Sequence, residues 1–195
     1  EAPASSRLHL GARSPLTNLL GSSNVGGHFG AALRAAGYQA VRIAGRAARP
    51  VYLWIDGGRA EIAPAEELWG LDARAAAQAL KDRLAAPDAW VMAIGPAGER
   101  LVRFACIAND RGRMAGRTGL GGVMGSKNLK AIALRGTRTI RVADMRRLEP
   151  LAVDLARRCY GPKTAKYSGL GTPGNVLVLD YLGALPTRNY RQSVF

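Results

Sequence analysis

A glycine-rich, basic stretch near the middle of the chain constrains the fold more than any other feature. Glycines allow positive φ and a close backbone approach, so that N–H groups and guanidinium groups can surround an anion. A flexible basic surface loop has a similar composition, but residues 129–135, which follow directly, have the pattern of a buried strand. We therefore interpret residues 109–130 as an anion cradle. Asp110 is its only acid, and its glycines and cations are Gly112, Gly116, Gly119, Gly121, Gly122, Gly125, Arg111, Arg113, Arg117, Lys127 and Lys130.

The net charge of the chain raises the question of nucleic acid. Lys and Arg number 28 against 14 Asp and Glu, which gives a formal charge of +14 over 195 residues. However, no run of five like charges occurs. Only 6% of residues are aromatic, so the chain has few side chains on which nucleic-acid bases could stack. We expect no nucleic-acid partner, and keep a basic nucleic-acid-binding module as an alternative.

The two cysteines exclude several metal centres within this chain. Cys106 and Cys159 are far apart and belong to no C-x-x-C pair, so they complete neither a zinc site nor an iron–sulfur cluster. Two lone thiols favour a reducing compartment, and we expect a cytoplasmic location. No stretch of about 18 apolar residues occurs, so we expect no membrane span. The first residue is Glu1 rather than Met, and the lack of a signal peptide therefore decides little.

A second glycine-rich loop, at residues 22–30, suggests an internal duplication. Gly26 to Ala35 can be aligned with Gly121 to Ala131, and both copies then run into a predicted strand, 39–44 in the first copy. Arg7 and Arg103 then fall on corresponding predicted strands. The repeat predicts that the two loops lie side by side, related by an approximate two-fold axis, where they could hold a ligand with two phosphate-bearing halves.

Two familiar phosphate-binding signatures do not apply. The stretch from Gly121 to Lys127 fails the P-loop spacing, because Ser126 separates Gly125 from the lysine. Gly169 to Gly174 matches G-x-G-x-x-G literally, but no strand precedes it, and Pro173 lacks a backbone donor. Nucleotide hydrolysis and dinucleotide binding are both disfavoured.

Short motifs spaced along residues 2–138 point to a known family. They include Ser14-Pro-Leu-Thr17, Asn24-x-Gly-Gly-x-Phe-Gly30, Ile94-Gly-Pro-Ala-Gly-Glu99, Ala115-Gly-Arg117 and Val123-Met-Gly-Ser-Lys-Asn-Leu-Lys-Ala-Ile132. Together they resemble the N-terminal domain of the aldehyde ferredoxin oxidoreductase family. The resemblance implies a tungsten or molybdenum enzyme that oxidises an aldehyde to a carboxylic acid and passes electrons through a 4Fe-4S cluster to ferredoxin or an electron-transfer subunit. It also implies a tungsto- or molybdo-bispterin cofactor, and it allows a homodimer.

The resemblance assigns expected roles to ten residues. It implies that the backbone carbonyls of Asn24 and Met114 bind a magnesium ion that bridges the two pterin phosphates. The cofactor-binding residues that it implies are Arg7, Asn24, Val25, Gly26, Gly27, Arg113, Met114, Ala115, Gly116 and Arg117. It implies no catalytic residue here, because the family's cluster cysteines and substrate-side acid and histidine lie in later domains. One departure is Ser5-Ser6, where relatives usually carry Gly-Gly before the arginine matched by Arg7.

The predicted fold is α+β. We expect an internally duplicated, sheet-rich, pterin-binding domain with short helices over residues 1–140, and the start of a truncated helical domain over 141–195. A helix over 145–158 opens that second part, with Leu148, Leu151, Ala152 and Leu155 facing inward. We expect the chain to be a fragment of a longer enzyme. The alternatives are a benzoyl-CoA-reductase-like subunit of the same superfamily, a nucleic-acid-binding module and a cofactor-free scaffold.

Overall fold

The strand predicted at residues 129–135 lies inside a mixed sheet. The computed structural model describes residues 7–109 and 112–195, of which 7–141 form one compact unit and 142–195 a second. The described strands are β1 (Leu8–Arg13), β2 (Leu20–Val25), β3 (Val51–Asp56), β4 (Arg59–Pro64), β5 (Trp90–Ala93), β6 (Ile107–Asn109), β7 (Arg113–Ala115) and β8 (Leu129–Arg135). Among these, six strands form one sheet in the order β4-β3-β8-β5-β6-β7, and β1 and β2 form a separate hairpin. Within the sheet β3 and β8 are parallel and the other neighbours antiparallel.

Both faces of the six-stranded sheet are covered. The helices of this unit are α1 (Phe29–Ala35), α2 (Ala73–Arg83), α3 (Pro96–Glu99) and α4 (Leu120–Ser126). On one face α2 packs on Ala131 and Ala133, whose small side chains are fully buried. On the other face the β1–β2 hairpin, α1 and α4 contribute to a larger core with Ile55, Met92 and Leu134. Burial on both sides explains why β8 is almost continuously apolar.

The duplication takes the form of two hairpin–helix units. One consists of β1, β2 and α1, and the other of β6, β7 and α4. Gly26 follows β2 and Gly116 follows β7, so equivalent positions differ by 116 − 26 = 90 residues. The predicted alignment of Gly26 with Gly121 is therefore wrong, because Gly121 lies inside α4 rather than in the loop before it. Arg103 lies in a turn, so its predicted strand is also wrong.

The predicted strand at residues 39–44 is not formed. This segment has no regular structure in the described chain and lies between Gly37 and Gly45, both with positive φ. Alternating apolar residues suit a strand, but a strand also needs a neighbour to complete its hydrogen bonds. Val41 and Ile43 instead line a cavity of about 640 Å³ between the β1–β2 hairpin, α1 and α4.

The second unit is helical, which confirms the α+β prediction. Its helices are α5 (Met145–Cys159), α6 (Ala165–Gly169) and α7 (Val176–Tyr181). The helix predicted over 145–158 is confirmed, and its N-cap Asp144 accepts a hydrogen bond from the Arg147 amide at 3.1 Å. The apolar side chains Leu148, Leu151 and Leu155 are exposed, so the predicted inward face of α5 is not buried among the described residues.

Candidate functional site

The two glycine loops are in direct contact, as the repeat predicts. The Ser23 hydroxyl, on β2, donates to the Gly116 carbonyl at 2.9 Å. In return, the side-chain amide of Asn109, at the end of β6, donates to the Gly26 carbonyl at 2.9 Å. Each hairpin therefore supplies one side chain that holds the loop of the other. The approximate two-fold axis stays a prediction.

Equivalent strand ends position the residues that the family resemblance singles out. β2 ends at Val25 and β7 ends at Ala115, and both side chains are buried in the same core. These anchors leave the loop backbones at the surface of the unit. Asn24, Arg113, Met114 and Arg117 are all exposed beside them. The structure thus brings nine of the ten predicted residues onto two adjoining loops; the tenth is Arg7.

Gly27 belongs to the first loop, and Arg7 lies close to that loop. Gly27 follows Gly26 with a φ of 101°, which a residue with a side chain rarely adopts. Arg7 precedes Leu8, which pairs with Val25, so Arg7 leaves the hairpin at the same end as Gly26. Arg7 also lines the cavity of about 640 Å³, whose walls contain none of the other nine predicted residues.

The backbone of the second loop is conformationally unusual. Arg117, Thr118 and Gly119 have φ values of 61°, 54° and 75°, so three consecutive residues are left-handed. For a residue with a Cβ this conformation costs about 1–2 kcal/mol. Such strain persists only where the surroundings enforce it, and it occurs often at ligand-binding sites.

The glycines of the predicted cradle divide into two groups. A Cβ added to Gly112 or Gly116 would meet nothing within 4 Å among the described residues, so these two are open. A Cβ on Gly119, Gly121 or Gly125 would overlap backbone atoms of residues 98–106. The prediction that all six glycines form an anion cradle is therefore wrong. Those of α4 let the helix pack directly against a neighbouring backbone.

The cations divide in the same way. Lys130 is fully buried, forms an ion pair with Glu99 and donates to the Leu71 carbonyl at 2.7 Å. Lys127 donates to the Gly45 carbonyl at 3.0 Å. Neither lysine is free to hold a ligand at the loops, which corrects the prediction for both. Arg113 and Arg117 remain exposed there, and Arg111 lies outside the described residues.

The Arg113 side chain joins the two loops. Its Nη1 atom lies 3.3 Å from the position that a Cβ would occupy on Gly26. A guanidinium held against a glycine backbone can direct its remaining donors at an anion bound by both loops.

Two buried polar atoms on the second loop are the part of the site that sequence reasoning missed. The Oδ1 atom of Asn109 and the Oγ1 atom of Thr118 are the buried side-chain atoms without a hydrogen-bond partner in the described chain. Asn109 stands directly before Asp110 in a polar stretch, so its sequence position does not indicate burial.

Comparison with known proteins decides the family. The model of the aldehyde ferredoxin oxidoreductase N-terminal domain matches residues 1–136. The chain belongs to the aldehyde ferredoxin oxidoreductase family. The family assignment agrees with the resemblance carried by the loop motifs.

The chain is similar to several curated members. It is 37% identical to the tungsten-containing aldehyde ferredoxin oxidoreductase of Pyrococcus furiosus over 199 residues, which cover 100% of this chain and 32% of that protein. The corresponding protein of Pyrococcus abyssi is 40% identical over 202 residues, with the same coverage. The chain thus spans about a third of the length of these relatives.

A solved structure has the same fold. It is the active-site complex BamBC of benzoyl coenzyme A reductase with 1,5-dienoyl-CoA, and it matches with a TM-score of 0.77 and 36% sequence identity. The match covers 80% of this chain and 24% of that one. Membership of an oxidoreductase family therefore rests on sequence and on structure.

Two further features are absent from the described residues. No three of their His, Cys, Asp and Glu side chains come together in a way that could hold a metal ion. Over the same residues, no helix combines the length and the apolar character needed to cross a membrane.

Proposed function

We propose that this chain is the cofactor-cradling, N-terminal part of a tungsten- or molybdenum-pterin oxidoreductase. The observation that carries the proposal is the reciprocal pair of hydrogen bonds between Ser23 and Gly116 and between Asn109 and Gly26. These bonds hold two glycine loops of equivalent origin side by side. Such an arrangement suits a ligand with two similar anionic halves.

The residues present fit a bis-pterin with two phosphates. The open Gly116, the glycine pair Gly26 and Gly27, and the exposed Arg113 and Arg117 provide a close backbone approach and cationic donors. The backbone carbonyls of Asn24 and Met114 would bind a magnesium ion between the phosphates, since Mg²⁺ prefers oxygen ligands. The Val25 and Ala115 backbones complete the cradle, and Arg7 would contact the pterin. The bound metal would supply the redox chemistry of the full-length enzyme.

The proposed reaction is oxidation of a small aldehyde to a carboxylic acid. We propose that electrons leave through a 4Fe-4S cluster to ferredoxin or to an electron-transfer subunit, in the cytoplasm, and that the enzyme is a homodimer or works with partner subunits. Names of relatives support this proposal, because they include tungsten-containing aldehyde ferredoxin oxidoreductases. No residue of this chain is proposed to act as the catalytic acid or base.

A benzoyl-CoA-reductase-like role is the second candidate. The structural match to the BamBC complex of benzoyl coenzyme A reductase favours it. Turnover of aldehydes and of aromatic acyl-CoA esters by the full-length protein would separate the two.

Metal and cofactor analysis of the full-length protein tests the proposal. We expect tungsten or molybdenum, magnesium, iron and pterin phosphate. Arg113→Ala should lower pterin content, because a charge-assisted phosphate contact contributes about 1.5–3 kcal/mol, or roughly tenfold or more in affinity. Arg59→Ala, at an exposed position on β4, is the matched control and should leave pterin content unchanged.

Two results would overturn the proposal. One is a full-length protein without tungsten, molybdenum or pterin. The other is tight, salt-sensitive binding of random-sequence DNA, which would favour the nucleic-acid alternative.

A further inference from the structure

Asn109 is a buried amide held between the two loops. Its residue is 1% exposed, and its Nδ2 atom donates to the Gly26 carbonyl at 2.9 Å. Only the nitrogen of the amide can face a carbonyl oxygen, so this bond fixes the orientation of the side chain. Oδ1 has no hydrogen-bond partner in the described chain. Buried acceptors in native proteins are nearly always satisfied, so Oδ1 requires a donor from outside these residues.

The position of this acceptor links it to the proposed cofactor site. Asn109 ends β6 and pairs with Arg113, while the preceding Ala108 pairs with Met114. Its amide therefore lies between the Gly26 loop and the strand that carries Arg113 and Met114. Thr118 Oγ1, the other unpartnered buried atom in the described chain, follows on the same loop. Thr118 lies two residues after Gly116, whereas Asn109 lies at the turn end of the β6–β7 hairpin, beside the Gly26 carbonyl.

The chemistry of Oδ1 restricts what it can bind. A phosphate oxygen is an acceptor, as Oδ1 is, so the two do not pair directly. A water molecule on a divalent cation is a strong donor, and Mg²⁺ usually keeps several of its waters when it binds phosphates. The Asn24 and Met114 carbonyls that are proposed to bind magnesium lie on the strands that Asn109 joins.

We propose that Asn109 is a positioning residue for the magnesium ion at the loops. Its Oδ1 accepts a hydrogen bond from a water on the ion, while its Nδ2 fixes the Gly26 carbonyl. The residue thereby couples the hydration of the ion to the spacing of the two loops. This inference rests on the proposed cofactor-binding function. It goes beyond the ten residues to which the family resemblance assigns roles, since Asn109 is not among them.

Three variants of the full-length protein separate ligand binding from simple bracing. Asn109→Leu has a similar size and removes both the donor and the acceptor. Asn109→Asp keeps an acceptor and removes the donor to Gly26. Ser23→Ala removes the reciprocal bond to Gly116 and leaves Asn109 intact, so it is the matched control for the loop-to-loop contact.

The main measurement is the magnesium retained per tungsten or molybdenum, titrated with EDTA-buffered free Mg²⁺. We expect Asn109→Leu to need about 10-fold or more free Mg²⁺ for half-occupancy, which is typical when a side chain that orients a metal-bound group is lost. Asn109→Asp keeps the acceptor and Ser23→Ala loses only one loop-to-loop bond, so both should need clearly less free Mg²⁺ than Asn109→Leu. The second measurement is the difference in Tm between protein with and without cofactor. It should shrink in Asn109→Leu and persist in the other two variants.

Each outcome decides the inference. Asn109→Leu could lower the Tm equally with and without cofactor and leave the magnesium affinity unchanged. Asn109 would then only stabilise the fold, and the inference would be overturned. If Asn109→Leu does not fold, Asn109→Asp decides, because loss of magnesium in a variant that keeps the acceptor would contradict the proposal. A wild-type protein without tungsten, molybdenum or pterin would instead overturn the proposed function itself, and the two failures are thus distinguishable.

Discussion

Gly116 and Gly125 show, at the scale of single residues, that one residue type serves two purposes within one motif. At Gly125 the added Cβ would overlap the Gly98 backbone, whereas at Gly116 it would enter open space. Neither glycine is among the residues with positive φ, so steric space rather than backbone strain decides what alanine does at each. Gly125 therefore serves packing, and Gly116 is free to serve a ligand.

The first prediction compares alanine at these two positions. Gly125→Ala should lower the free energy of unfolding by about 3 kcal/mol or more, since overpacking against a backbone that cannot move aside is at the high end of such costs. Gly116→Ala should leave the free energy of unfolding nearly unchanged and lower cofactor content in the full-length protein. Urea denaturation and pterin analysis check the two effects. Equal stability of the two variants would contradict the division of the glycines.

At the scale of elements, the buried ion pair between Lys130 and Glu99 joins β8 to α3. Their side chains are 0% and 5% exposed, and Glu99 also accepts from the Gly70 amide at 3.0 Å. Helix α3 supplies Gly98, against which Gly125 of α4 packs. The ion pair therefore holds α3 in place, and α4 packs on α3. Through these two helices the pair supports residues 116–119, which connect β7 to α4.

The second prediction concerns this ion pair. Lys130→Met should destabilise the chain by about 3–5 kcal/mol, because it leaves a buried carboxylate without its partner. The double variant Lys130→Met/Glu99→Gln should be less destabilised than the sum of the single variants, since it buries no unpaired charge. Chemical denaturation of the four proteins measures the coupling. Simple additivity would mean that the two side chains act independently.

The third prediction concerns the pair at the ends of the parallel strands β3 and β8. The side chain of Arg135 donates to both carboxylate oxygens of Asp56, at 3.1 and 2.7 Å, and this hydrogen bonding holds the pKa of Asp56 below its ordinary value of 3.8. A lowered folded-state pKa stabilises the fold above pH 3.8, and this contribution is lost as the pH falls through the folded-state value. Asp56→Asn should therefore reduce the loss of stability on acidification.

The measurement is urea denaturation at pH 6 and at several values below pH 3.8. Glu61→Gln, at an exposed position on β4, serves as the control and should keep the acid sensitivity of the wild type. If Asp56→Asn loses stability in acid as steeply as the wild type does, the Asp56–Arg135 pair does not contribute to the acid sensitivity, and the prediction is wrong.

For the molecule as a whole, the fourth prediction is that this 195-residue chain alone binds no stoichiometric iron and oxidises no aldehyde. Cys106 and Cys159 are its only cysteines, and a 4Fe-4S cluster requires four ligands, usually thiolates. Iron analysis after desalting, with the full-length protein as the positive control, checks this prediction. About four iron atoms per chain, surviving desalting, would refute it.

The local sequence pattern was sufficient to predict those elements whose structure is decided by neighbouring residues in the chain. The β3–β4 hairpin around Gly57 and Gly58, the buried strand β8 and helix α5 all follow from hydrophobic periodicity and turn residues. The motifs around Gly26 and Gly116 were sufficient to identify the family. The repeat was sufficient to predict the contact between the loops. The roles of the ten predicted cofactor residues remain predictions.

Only the tertiary structure decided which polar and glycine residues face a ligand. Asn109 bonds to Gly26 across 83 positions, and Lys130 pairs with Glu99 across 31, so no local pattern contains either contact. The alternating segment at 39–44 forms no strand, because a strand depends on a partner that its own sequence does not supply. The residue types of the cradle were visible in the sequence, whereas the division into packed and open positions depends on which backbone lies beside each Cα.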